Sequence, residues 1–186
     1  MNDIQIKGFA IRGVLRYVKQ TGLAGGIAPL IQTLGPGDQA LFQDSILSTV
    51  WYPYRTFTAL LRAISRELED SPAKMFEVGE FSGRQDAGTI FRIVMSLSSV
   101  ERVVAACPRF WKRYCTGGDF EILTVEKGHV HVALNDFETI DPNHCQLAGG
   151  WMLGLGETAG ARNAVVEQIQ CVHRGDPRCE YEGHWS

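Results

Sequence analysis

No run of apolar residues in this chain approaches the ~18–20 that a helix needs to cross a bilayer. The opening residues, Met1 to Lys7, carry none of the basic, apolar and small-residue segments of a secretory signal. These absences predict a cytoplasmic protein without a membrane partner. Charge of one sign is lacking too. The net charge is −3, with acids and bases mixed along the whole length, which leaves no electrostatic footprint for nucleic acid. There is no phosphate-binding glycine loop, no nucleophile elbow, no His-Glu-x-x-His helix and no carboxylate pair at a suggestive spacing. Nothing therefore requires catalysis. Gly154, Gly156 and Gly160 do not make a dinucleotide fingerprint, because the last spacing is wrong and they fall inside a predicted helix. The 5 cysteines are odd in number, which in a reducing compartment favours buried thiols or a metal over a disulfide frame.

What is present suffices for one domain spanning residues 1–186, with 45% of residues hydrophobic. Ile11, Val14, Leu15 and Val18 share a helical face, and Phe57, Leu60, Leu61, Ile64 and Leu68 repeat that pattern more clearly. Gly35-Pro36-Gly37-Asp38 reads as a turn. Asp70-Ser71-Pro72 predicts another helix start, and Ser98 or Ser99 caps a helix running to Tyr114, kinked or divided by Pro108.

After Thr116-Gly117-Gly118 the period changes from 3.6 to 2. Phe120–Val125 and His129–Leu134 form a predicted hairpin, with Val130, Val132 and Leu134 inward and His129 and His131 on the outer, solvated face. Asp141-Pro142 opens a helix, and Val165–Val172 pairs with Cys179–Trp185 around Arg174-Gly175-Asp176-Pro177. The prediction is an α+β fold, helical over 1–116 and ββαββ over 117–186 with an antiparallel sheet. Gly149, Gly150, Gly154 and Gly156 are costly in a helix at ~1 kcal/mol each. A close backbone approach should offset that cost, either from the chain's own sheet or from a second subunit in a homodimer.

Cys171 and Cys179 flank the second turn symmetrically, so a regular hairpin sets them opposite each other, and Cys145 lies in the first turn of the helix that packs on that sheet. Three thiolates so placed supply most of a tetrahedral zinc site. The alternative is three small buried packing residues.

This cysteine spacing, with Gly175-Asp176-Pro177 between the last two, resembles the 4-vinyl reductase type of small-molecule-binding domain over roughly residues 110 to 185. The whole chain is also similar to a myxobacterial paralogue family that carries no biochemical assignment. The resemblance implies a TRAPP-like fold, a structural zinc held by the three cysteines and a glutamate, and an aromatic or other apolar ligand between helices and sheet. The family's glutamate position holds Gln168, a poor zinc ligand, but in a regular strand Glu167 faces the same way as Cys171 and becomes the expected fourth ligand, with His173 and His144 as alternatives. Phe110, Trp111 and Tyr114 are the expected ligand-contacting residues. The implied function is a non-catalytic, homodimeric sensor for a small hydrophobic or aromatic molecule, signalling through a separate partner protein. A tetrapyrrole-related enzyme or accessory protein, and a ligand-free TRAPP-like adaptor, are the alternatives.

Overall fold

The computed structural model describes residues 3–89, 99–137 and 139–186. The apolar stripes read from the sequence become helix α1 (Gly8–Thr21), which buries Ile11, Val14 and Val18, and α4 (Tyr54–Glu67), which buries Phe57, Leu60, Leu61 and Ile64. Each such side chain removed from water contributes about 1.5–3 kcal/mol, so these two stripes define the centre of the helical layer. Between them lie the short helices α2 (Ile27–Gln32) and α3 (Pro36–Leu41). The expected turn at Gly35–Asp38 is instead the start of α3. Pro36 occupies a first-turn position, where its missing N–H costs nothing, and Asp38 sits in that turn.

Helix α5 (Pro72–Thr89) begins at the predicted Pro72. Helix α6 (Val100–Tyr114) follows Ser99 and carries Pro108 without being divided, while the alternative cap Ser98 lies outside the described residues. Two strands escaped the sequence pattern. Strands β1 (Gln5–Lys7) and β2 (Trp51–Pro53) pair antiparallel, and Ile6 bridges to Cys115 at the end of α6.

The expected ββαββ order holds, with β3 (Asp119–Glu126), β4 (His129–Asn135), α7 (Pro142–Thr158), β5 (Val165–Gln170) and β6 (Cys179–His184). The four strands form one antiparallel sheet in the order β3-β4-β6-β5. The fold is thus α+β, with α7 and α6 laid on the inner face of the sheet.

The close backbone approach expected from the sequence, to the sheet or to a second subunit, is made by α5 at Gly150 and Gly154, while Gly149 lies between Phe76 of α5 and Tyr181 of the sheet and Gly156 has open space around it. A Cβ on Gly150 would collide with the backbone of Phe76 and Glu80, and one on Gly154 with Glu80 and Arg84. Reciprocally, Gly79 and Gly83 of α5 lie against the carbonyls of Leu147 and Trp151. Two Gly-x-x-x-Gly pairs therefore bring the two helix backbones into direct contact. The reason is steric, since no residue with a side chain fits at the crossing.

Candidate functional site

Helix α7 is the element that positions both chemically notable clusters. Asp141 caps it, accepting from the Asn143 N–H at 2.9 Å, and is itself gripped by Arg62 Nε at 2.7 Å. The first turn is thereby fixed, and its consecutive residues His144 and Cys145 project in different directions.

His144 is fully buried. Its Nδ1 lies 2.8 Å from the Tyr54 hydroxyl and its Nε2 lies 3.0 Å from the Tyr114 hydroxyl. Burial holds the imidazole neutral, its pKa pushed down to about 3. The Tyr54 oxygen already accepts the Asp141 N–H at 3.1 Å. With Nε2 protonated, Tyr54 donates to Nδ1 and Nε2–H donates to Tyr114; with Nδ1 protonated, Nδ1–H donates to Tyr54 and Tyr114 donates to Nε2. The first tautomer leaves the Tyr114 proton for the adjoining cavity. Trp111 stacks on the imidazole at 15° and donates its indole N–H to the Gly117 carbonyl at 3.0 Å.

That cavity, about 30 Å³, lies among α1, α5, α6 and α7, and Phe110, Trp111 and Tyr114 all line it. A second cavity of about 60 Å³ lies between α6, α7 and the sheet. Cys107, Phe120, Trp151 and Met152 border both, so they form the partition between the two. Almost all of the lining is apolar. The polar exceptions in the first, besides Tyr114 and His144, are Ser82 and Asp86, and in the second Tyr181 and His184. Asp86 accepts the Trp151 indole N–H at 3.0 Å, and burial raises its carboxyl to about 7. The sequence reading missed Asp86, although Ser82 and Asp86 fall four apart on one face of a helix, a polar pair turned inward.

Cys145 faces the other way, toward the sheet. Its Sγ lies 3.8 Å from that of Cys179, and the sulfurs of Cys145, Cys171 and Cys179 all lie within 4.8 Å of one another. The Cys179 thiol is lowered to about 6 by its hydrogen bond with Cys145, whose own proton is held correspondingly tighter. Cys171 is anchored by Asp176, whose carboxylate accepts the Cys171 N–H at 2.7 Å.

The expected fourth ligand is not in this cluster. A bulge at Ile169 shifts the β5 register, so that Gln168 stands opposite Tyr181 while Gln170 stands opposite Glu180. The extra residue reverses the alternation. Gln168 consequently shares the inner face with the cysteines, and Glu167 is exposed opposite Glu182. His144 is committed to the two tyrosines, and His173 lies with Nε2 2.8 Å from the Ile140 carbonyl.

A solved H-NOX protein from S. oneidensis in the Fe(II)NO state superposes with a TM-score of 0.72 at 13% identity, covering 97% of this chain and 99% of that one. The fold is H-NOX-like. Unliganded Fe(II) H-NOX from K. algicida agrees, with a TM-score of 0.68 at 12% identity and 97% coverage of both chains. The phenol-responsive sensory domain of the transcription activator PoxR, bound to phenol, matches less completely: TM-score 0.53, 19% identity, 68% of this chain and 71% of that one. No protein family profile and no curated protein matches the sequence. The 4-vinyl reductase and TRAPP-like resemblance is therefore corrected. It rested on the spacing of three cysteines in a helix start and a hairpin, a local feature of the C-terminal part, whereas the H-NOX match extends through the helical layer as well.

Those neighbours raise the question of haem. The residues described do not fit it. The two cavities are far below the ~300–1,000 Å³ of a typical ligand pocket. His144, the imidazole lining the first, has both nitrogens engaged by phenols. Among the described residues, no lysine or arginine lines either cavity to receive a propionate.

Proposed function

We propose that this chain is a ligand-binding sensor module that uses the H-NOX-like scaffold without haem and takes a small apolar or phenolic molecule into the cavity among α1, α5, α6 and α7, extended toward the sheet by the second cavity. The observation that carries the reading is the pairing of a nearly all-apolar, aromatic-walled interior with the phenol group of Tyr114, which lines the first cavity at the end of the Tyr54–His144–Tyr114 chain. A ligand of benzene size calls for about 150 Å³. Met152, unbranched and flexible, stands in the partition between the cavities, and its displacement joins them. The phenol bound by PoxR, on a related fold, supports the ligand class.

Titration of phenol, cresols and toluene against intrinsic tryptophan fluorescence is expected to saturate, because Trp111 and Trp151 both border the first cavity. Tyr114→Phe should weaken phenol about tenfold, the value of one hydrogen bond of ~1.4 kcal/mol, while leaving toluene unchanged. A flat response across the panel sinks the reading.

The same proposal assigns a structural zinc to Cys145, Cys171 and Cys179. Three thiols from a helix start and two strand ends, buried and mutually within 4.8 Å, suit thiolate coordination of zinc at ~2.3 Å. In this role the metal ties α7 to the turn between β5 and β6 and has no part in ligand chemistry.

A further inference from the structure

The outer face of the sheet carries a second cluster, remote in function from the interior. Strands β4 and β6 pair His129 with His184 and His131 with Glu182. The rings of His129 and His184 stack, with centroids 4.8 Å apart. Glu182 reaches between them, one carboxylate oxygen 3.0 Å from His129 Nε2 and the other 4.0 Å from His184 Nε2.

We propose that His129, Glu182 and His184 form a surface site for a divalent transition-metal ion of the zinc class. Three features of the sheet support it. One donor atom from each residue lies within 4.8 Å of the others, and ligands at ~2.0–2.1 Å around a tetrahedral ion stand about 3.3 Å apart, a gap that small side-chain rotations close. Two imidazoles and a carboxylate are the donor set that zinc and its neighbours in the first transition row accept, and the exposed position leaves the fourth place to water.

The second feature is a charge conflict. Glu167 of β5 stands directly opposite Glu182, and like charges at a cross-strand pair repel. A bound cation relieves that repulsion. The third is that the strand end is fixed: Trp185 N–H donates to the Gly128 carbonyl at 3.0 Å and Ser186 N–H to the Arg162 carbonyl at 2.9 Å, so His184 is presented on a held backbone. The neighbouring pair is different. His131 lies 2.7 Å from Glu180, and that carboxylate is also held by Arg178 at 2.6 Å, so it has a cation already.

The test is zinc titrated into the reduced, chelator-stripped full chain, with the imidazole signals followed by NMR. The His129 and His184 signals should move together and saturate while that of His131 moves little. Glu182→Gln and His184→Ala should each weaken this response by about tenfold or more. His184 has a side chain 61% exposed, so its removal should leave the melting temperature of the metal-free protein unchanged. The site is overturned if His129 and His184 do not respond to excess zinc, or if His131 responds equally, which is the mark of unspecific association. Loss of the thiol site in Cys171→Ser should leave the histidine response intact, so the two metal assignments fail independently.

Discussion

His144 and Asp86 are shifted in opposite directions by one cause, the withdrawal of water from a charge. The imidazole, lowered from 6.5 to about 3, stays neutral in the fold, so as pH falls from about 6.5 toward 3 the unfolded chain gains a proton that the folded one refuses. Stability is lost over that window. The carboxyl, raised from 3.8 to about 7, stays protonated in the fold, so as pH rises from about 4 to 7 the unfolded chain sheds a proton that the folded one keeps. Stability is lost there too, from the other side. The two slopes oppose each other between about 4 and 6.5. Asp86→Asn should remove the second, raising stability at pH 8 by up to a few kcal/mol, since each tenfold change in proton affinity is worth roughly 1.4 kcal/mol. Chemical denaturation of both proteins at pH 5 and 8 checks this; an equal loss at both pH values counts against the assigned protonation. Neither residue announced itself in the sequence. His144 was legible only as a possible metal ligand, because its partners Tyr54 and Tyr114 are 90 and 30 residues away.

Among the elements, those with a repeating apolar period were legible and those fixed by a single contact were not. Helices α1 and α4 follow from their stripes, and the two hairpins from alternation and turn residues. Strands β1 and β2, three residues each, are too short to show a period. The bulge at Ile169 is invisible to a rule of strict alternation, and by reversing that alternation it moved Glu167 away from the cysteines and put Gln168 beside them. The glycines of α7 signalled a close approach without naming the partner. They also give a sharp contrast. Gly150→Ala drives a methyl into the Phe76 carbonyl and should cost more than about 3 kcal/mol, whereas Gly156, with no neighbour nearer than the Ala161 methyl, should gain up to about 1 kcal/mol from Gly156→Ala. Thermal melts of the two variants settle it; similar shifts would mean that α5 and α7 are not in backbone contact.

For the whole molecule, the cysteine cluster ties the sheet to the helical layer through α7. With zinc bound, Cys171→Ser should destabilise the protein by several kcal/mol, since ligand binding energy is folding energy. Cys107→Ser, which touches no other cysteine in the cluster, is the control. Equal losses, or no zinc in the purified protein by elemental analysis, would reduce the three thiols to packing. The overall α+β order was legible; the likeness to H-NOX structures was not, because at 12–13% identity it resides in the arrangement of elements and not in any motif.

The backbone contact between α5 and α7 also divides the molecule mechanically. Packed helices slide past one another by letting side chains re-seat, and a crossing made of glycines has no side chains to re-seat. The pair is a stator. A molecule entering beside Tyr114 meets that fixed backbone pair on one side, and the cysteine cluster holds the β5–β6 end of the sheet to it, so the displacement it causes is expected in α6 and in β3, the strand α6 packs against.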